Sequence, residues 1–315
     1  MVLDVITTGA VNWDVNLFIE SIELQGMEAP VKRITRVPGG KAANVAVAAA
    51  RLLGPGRVGI LGAVGNDEIG RSHMEIFAKE GVSTDHLLVV NGSESGQAYI
   101  LVDSRGRNQI FTHFGANASL TADMAKSLKI ASVLHNSKVL VAMDPPLDYT
   151  AELFAEAGKD CTIIWGPGVR TINNQEKVLS MLGYVDYLLL NQQELFVLTG
   201  KATAEMGYEM LSSYSDSLKL LVTLGEEGAA IHSRAGVIKA GGVDLSKGGY
   251  TVVNTVGCGD AFVGCFAASL ASGLEESQAL TRANYAGAFK STKYETRGSP
   301  TSDELDEFAR KLNSS

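Results

Sequence analysis

Asn254-Thr-Val-Gly-Cys-Gly-Asp-Ala-Phe-Val-Gly264 is the stretch on which the reading of the whole chain turns. Small residues lead directly into an apolar run, Ala261 to Leu274, so a helix begins here after a glycine-rich turn. The backbone N–H groups of Gly257, Cys258 and Gly259 are then left facing outward at a helix N-terminus, which is an anion site. The neighbouring carboxylate, Asp260, has two readings. It is a helix N-cap, or it stands beside a bound phosphoryl group and takes the proton of an attacking hydroxyl while the backbone stabilises developing charge.

Working outward, short β-rich runs alternate with amphipathic helical patterns: Val5 to Val11, Ala42 to Leu53, Val58 to Val64, Ile69 to Glu80. Compact apolar runs follow at Val139 to Met143, Thr162 to Trp165, Tyr187 to Leu190 and Leu218 to Thr223. The alternation predicts βαβ units around a mostly parallel, buried sheet, hence an α/β fold. Two regions break it. About 16–38, around Gly26 and Pro30, and about 96–115, around a turn from Asp103 to Gly106, alternate apolar and polar residues. They predict a small β-sheet inserted as a lid over the C-terminal edge of the main sheet, the whole of 1–315 forming one domain. The polar tail from Lys311 to Ser315 is expected to fray.

With 315 residues, 45% hydrophobic and 20% charged, the composition is that of an ordinary globular protein. A net charge of -8 opposes nonspecific binding to nucleic acid or an anionic membrane. The apolar run from Ala261 to Leu274 is shorter than the roughly 20 residues that span a bilayer. Three cysteines, Cys161, Cys258 and Cys265, lack paired spacing, which points to a reducing cytoplasm rather than to disulfides or structural zinc. The five histidines, His73, His86, His113, His135 and His232, are dispersed without metal-ligand spacing and are expected at the surface or on the lid.

Gly54-Pro-Gly-Arg-Val-Gly59 matches GxGxxG, but an Ala-rich helix precedes it and a strand follows, the reverse of a dinucleotide-binding turn. Gly54 reads instead as a helix C-cap. No GxxxxGK[ST] loop occurs, so a nucleotide must be held differently.

The segment around Asp260 resembles the DTxGxGD signature of the ribokinase (PfkB-type) family, whose members move the ATP γ-phosphoryl group to sugars, nucleosides and related alcohols. Gly39-Gly-Lys-Ala-Ala-Asn44 is similar to that family's GGxxxN element. The resemblance covers roughly residues 5 to 300 and implies a ribokinase-like three-layer α/β/α fold with a β lid. It implies acceptor contacts at Asn12, Asp14, Gly39, Gly40, Lys41 and Asn44, although a turn with an N-cap also accounts for Asn12 and Asp14. Asn191-Gln-Gln-Glu194 resembles an NxxE element that organises Mg²⁺ and phosphates, mainly through water, and also reads as a polar pair starting a helix. Thr223 and Gly225, with Gly228 and Asn284, fall on the implied ATP side, and Gly115-Ala-Asn117 on the segment that closes the lid. Asp144, ending a strand before Pro145-Pro146, is an acceptor contact or a strand-end turn.

Asn254 departs from the signature's usual Asp, a residue associated with a monovalent cation near the anion hole. Losing one charge at about 4 Å removes roughly 4 kcal/mol of attraction at an effective dielectric near 20, so weak or absent K⁺ activation is expected. Cys258 replaces a more usual Ala, but the anion hole uses its backbone. Hydrogen-bonding groups converge without an evident basic clamp, which favours an unphosphorylated sugar acceptor. A nucleoside acceptor, with Trp13, Phe114 or Trp165 as a wall for the base, and a non-catalytic ligand sensor are the alternatives. The unpaired edges of a β lid suggest a homodimer.

Overall fold

The computed structural model describes residues 2–23, 28–105, 107–168 and 172–314; Gly26 and Gly106, at the two expected turns, lie outside them. The strands are β1 (Val5–Gly9), β2 (Asn12–Phe18), β3 (Arg33–Gly39), β4 (Val58–Gly65), β5 (Val82–Ser83), β6 (Leu87–Val90), β7 (Gly96–Val102), β8 (Asn108–His113), β9 (Val139–Met143), β10 (Thr162–Gly166), β11 (Tyr187–Asn191), β12 (Lys219–Thr223), β13 (Gly228–Ser233) and β14 (Gly236–Gly241). The helices are α1 (Lys41–Leu53), α2 (Glu68–Lys79), α3 (Ala122–Ala125), α4 (Leu128–His135), α5 (Leu147–Ala155), α6 (Gln175–Ser180), α7 (Gln192–Thr199), α8 (Ala204–Leu211), α9 (Cys258–Ala271), α10 (Glu276–Ser291) and α11 (Ser302–Asn313).

The main sheet runs β14-β13-β12-β11-β10-β9-β1-β4-β5, with β6 also on β4. Its centre is parallel, and among the described residues only the β12-β13 and β13-β14 pairings are antiparallel. Strand periodicity sorts the apolar runs onto two faces. Val5, Val139 and Val141 join Phe262, Phe266, Leu280 and Leu305 on one side. Ile6, Leu140 and Ala142 join Leu134, Leu153 and Leu195 on the other. Helices thus cover both faces, giving the expected α/β/α layers.

Two local features place the site. The Ala-rich face of α1 lets α9 approach closely: a Cβ at Gly264 would lie 2.5 Å from the Ala48 Cβ and 2.9 Å from the Val45 carbonyl. Gly54, at φ 89, caps the far end of α1, its N–H bonded to Ala50 O at 2.9 Å. At the other end of the parallel strands, Met143 and Gly166 are register partners, as are Asn191 and Thr223. The strand C-termini therefore line up along one edge, where open α/β sheets bind ligands.

A second sheet, β3-β2-β7-β8, stands beside that edge. Here β2 pairs antiparallel to β3 and parallel to β7. The first strand is shorter than expected, ending at Gly9, and β2 begins at Asn12. Asn12 and Asp14 are therefore strand residues, paired with Gly39 and Val37, and not part of a capped turn.

Two further expectations are corrected. The C-terminal tail does not fray at Lys311: α11 continues to Asn313 because Leu312, 4% exposed, packs with Phe308 and Phe289. His73 and His232 are buried, not superficial. His73 sits on the inward face of α2, one turn from Phe77, with its Nε2 3.0 Å from Asn12 O. A carbonyl only accepts, so Nε2 carries the proton.

Candidate active site

The glycine pair Gly39-Gly40 joins the second sheet to α1. Gly40, at φ 91, would put a Cβ 2.5 Å from Ala10 O and Asn12 N, and a Cβ on Gly39 would collide with the Asp14 carboxylate at 2.2 Å. Only glycine lets the chain pass this close. The turn delivers Asn44 to the first turns of α1, facing α9. Across that interface Asn44 Nδ2 donates to Asp260 Oδ2 at 2.8 Å.

Asp260 lies in the first turn of α9 and caps nothing; the N-cap is Gly257, at φ 86, with no side-chain capping bond. The capping interpretation of Asp260 therefore fails, and its carboxylate is free to face the sheet edge. It borders a cavity of about 160 Å³ together with Lys41, Asn191, Glu194, Thr223 and Gly259. Burial raises the Asp260 pKa, opposed by the Asn44 hydrogen bond and by the charges of Lys41, Arg297 and Lys290. A carboxylate so placed is a stronger base than one in water.

Arg297, in the segment after α10, is a site residue that sequence reasoning missed. It is 8% exposed. Its Nε donates to Asn44 Oδ1 at 2.8 Å and its Nη2 to Gly39 O at 2.9 Å. Because guanidinium only donates, this bond turns the Asn44 amide so that its NH₂ meets Asp260. Arg297 Nη1 has no hydrogen-bond partner among the described residues. Arg51 holds the segment in place through Arg297 O and Ser299 O, both at 2.8 Å, and is itself paired with Glu80. Asp14 faces the same cluster: burial pushes its pKa up to about 7, with Arg297 opposing and Asp260 adding to the rise.

Asn12 Oδ1 accepts from Asn117 Nδ2 at 2.8 Å. Asn117 also bonds both Val11 N and Val11 O, clamping the β1-β2 passage to the segment after β8. Asp144 follows β9 at φ 59, the sole non-glycine residue with positive φ among the described residues, and its N–H bonds Gly166 O at 3.0 Å. Such strain collects beside functional sites. A Cβ on Gly168, which borders the cavity, would lie 2.5 Å from the Asp144 carboxyl carbon.

On the opposite side, Asn191 and Glu194 form a capping box at the start of α7: Asn191 Oδ1 takes Glu194 N–H at 2.8 Å, and Glu194 Oε2 takes Asn191 N–H at 3.0 Å. Capping and site are here the same pair, since Glu194 Oε1 stays 3.8 Å from Lys41 Nζ. Lys41, expected among the acceptor contacts, thus reaches toward the α7 side of the cavity. Thr223 ends β12, and Gly225 and Gly228 shape the turn into β13, at φ 62 and φ 98. Asn284 is not at the cavity: its Nδ2 donates to Gly241 O at 2.6 Å, tying α10 to β14. Burial pushes the Cys258 thiol up, the Lys290 charge only partly opposing it. The thiol is therefore not activated, and the expectation that the Cys258 backbone N–H faces outward is corrected: it donates to Thr255 O at 3.2 Å, closing the turn that opens α9.

A sheet edge carrying a helix N-terminus with no side-chain cap, a half-buried base and a box of polar groups across a small cavity defines a group-transfer enzyme. The family profile described as pfkB family carbohydrate kinase matches residues 2–303, and the chain belongs to that family. It is 28% identical over 306 residues to an ATP-dependent ribose-1-phosphate kinase of Halopiger xanaduensis, covering 96% of this chain and 97% of the relative. It is 31% identical over 276 residues to a ribokinase of Bacillus subtilis, covering 86% and 87%. Its fold matches a ribokinase structure from Thermotoga maritima with a TM-score of 0.85 and 25% identity, covering 98% and 99%. No helix of the described residues is long and apolar enough to cross a membrane.

Proposed function

We propose that this chain transfers the γ-phosphoryl group of ATP to a hydroxyl of a small unphosphorylated sugar, with Asp260 receiving the hydroxyl proton. The observation that carries this reading is the Asp260 carboxylate, uncapped, bonded to Asn44 and raised in basicity by burial at the mouth of the α9 N-terminus. The acceptor lies under the second sheet, which serves as a lid, against Asn12, Asp14, Gly39, Gly40 and Asn44, with Asp144 bordering it. The backbone N–H groups of Gly257 and Gly259 hold charge that develops on the transferring group. Lys41 and the Asn191-Glu194 pair face the phosphates, and Thr223, Gly225 and Gly228 line the nucleotide's path.

Mg²⁺ fits this donor set when the nucleotide brings most of the ligands. No group of three metal-ligating side chains occurs among the described residues, and Glu194 offers one carboxylate oxygen outside its cap. Glu194 and Asn191 would hold the ion through water, and the ion would neutralise phosphate charge.

A second reading, a pentose phosphate acceptor, is favoured by Arg297: a buried cation with one nitrogen unpartnered among the described residues stands among the acceptor groups where the sequence offered no basic clamp. A nucleoside keeps Phe114, 40% exposed, as a wall for its base, but not the two tryptophans. Trp165 is sealed in the core edge-on to Phe154, and Trp13 is committed edge-on to His73. The exposed edge strand β8, with Ile110 57% and Phe111 51% exposed, supports a homodimer through the second sheet. Free thiols at Cys161, Cys258 and Cys265 support a reducing, cytoplasmic setting.

ADP release from Mg·ATP, measured against free pentoses and hexoses, nucleosides and ribose 1-phosphate, decides among these. Turnover with a free sugar is expected. Turnover confined to ribose 1-phosphate replaces the first reading by the second, and ADP release independent of every acceptor removes both.

A further inference from the structure

The anion-hole loop is braced from behind by a buried lysine. Lys290, on the last turn of α10, is fully buried, and its Nζ donates to Asn254 O at 2.9 Å and to Lys293 O at 3.3 Å. Its side chain runs past Gly298, where a Cβ would lie 3.2 Å from Lys290 Cδ. The same two chain segments meet elsewhere: Val253 N and Asn254 N bond Ser291 O, and a Cβ on Gly257 would lie 2.3 Å from Thr296 O. The ammonium therefore sits between the loop that opens α9 and the segment that ends in Arg297.

The resemblance set out above places a monovalent cation near this loop, and the residues present do not suit one. Backbone carbonyls replace the water shell of a bound K⁺, yet Asn254 O and Lys293 O already receive N–H bonds. The Asn254 side chain carries no charge and is already engaged, donating to Tyr294 O in the segment after α10 at 2.8 Å and accepting from Val256 N at 3.0 Å.

We infer that the Lys290 ammonium is a tethered internal cation, which positions the Asn254–Gly257 loop, and with it the Gly257 and Gly259 N–H groups, so that phosphoryl transfer needs no added monovalent cation. Lys290 touches neither substrate; it is a positioning residue acting through the loop. Its charge also reaches the base, since it opposes the burial of Asp260 alongside Lys41 and Arg297. The inference rests on the kinase reading for its catalytic consequence, but the cation dependence of stability does not.

The test compares the enzyme with Lys290→Ala, which removes the ammonium and opens room for an ion, in KCl, NH₄Cl and tetramethylammonium chloride at equal ionic strength. For the wild type, kcat and Tm should be the same in all three salts. Lys290→Ala should lose roughly 10- to 100-fold in kcat, the scale of a lost charge-assisted hydrogen bond, with KM for the acceptor little changed. K⁺ or NH₄⁺, and not tetramethylammonium, should raise its Tm and restore part of its kcat saturably. A wild type stimulated or stabilised several-fold by K⁺ overturns the inference, and so does a folded Lys290→Ala with wild-type kcat or with no cation-specific gain. If Lys290→Ala fails to fold, Lys290→Met takes its place: a folded Met variant must lose kcat without changing KM, and one that keeps it overturns the inference. Should no acceptor be found, the salt dependence of Tm still decides.

Discussion

The two sides of the cavity hold their ligands by opposite means. On the acceptor side, charged and amide side chains are buried and tied to one another: Arg297 to Asn44 and Gly39, Asn44 to Asp260, Asn117 to Asn12. On the α9 side the binding surface is backbone, presented by glycines at a helix N-terminus, with exposed residues between Asn254 and Gly259. A hydroxyl-bearing acceptor differs from its competitors by single polar groups, so recognising it requires donors and acceptors fixed in advance. Phosphate needs only converging N–H groups and a positive field. The buried side is therefore expected to control which molecule reacts, and the backbone side how fast.

That contrast is broken most sharply at Gly257. Its φ of 86 and the 2.3 Å approach of a Cβ to Thr296 O mean that Gly257→Ala must move the anion-hole turn. Steady-state kinetics should show kcat lowered about 10²- to 10³-fold, the scale of a lost oxyanion donor, with acceptor KM nearly unchanged. Gly183→Ala, away from the cavity, is the control, since a Cβ there meets no atom within 4 Å; equal losses for the two would dissolve the argument.

Asn44→Asp tests the buried side. It sets two carboxyl groups in the place of one 2.8 Å amide-carboxylate bond, and such a pair cannot both ionise. The pH-rate profile should lose activity by about 10-fold or more at neutral pH, with its lower limb displaced upward. An unchanged profile would mean that Asn44 does not govern Asp260.

Smaller effects concern stability. The Asp14 carboxyl is raised from its ordinary 3.8 to about 7, so the folded state holds the proton more tightly than the unfolded chain. Its favourable contribution is complete below pH 3.8 and is lost as pH rises to about 7. Urea unfolding of wild type and Asp14→Asn should therefore diverge across that window, the wild type losing ground as pH rises; parallel curves would refute the assignment. His73 has the opposite sign. Burial, aided by Arg297, holds its pKa near 3 against an ordinary 6.5, so stability is full above 6.5 and falls as pH drops toward 3. His73→Phe should remove that acid limb while costing about 1 kcal/mol for the bond to Asn12 O, read from the same unfolding curves.

The sequence made these regions unequally legible. The main sheet was readable because its strands are buried on both faces and appear as unbroken apolar runs such as Val139 to Met143. Asp260 was readable from position, a carboxylate just inside a glycine-led helix. The second sheet was recognisable by alternation, but its strand β2 starts at Asn12, where polar side chains look like a turn. Asn284 was placed at the nucleotide by resemblance, while the structure gives its amide to Gly241 O. His73 carried a signal that was not used, its one-turn spacing from Phe77 on α2. Arg297 and Lys290 carried none: each is a lone cation near a helix end, and only the tertiary approach of that segment to α1 and α9 reveals what it touches. Buried charges are set by partners far apart in the chain, which no local pattern encodes.

The central claim, that Asp260 takes the acceptor proton at this helix N-terminus, is reached most directly by single-turnover transfer from labelled ATP with enzyme in excess, comparing wild type with Asp260→Asn. The account predicts ATP affinity within a few-fold of wild type and a transfer rate lowered about 10²- to 10⁴-fold. Transfer at the wild-type rate by the variant would contradict it.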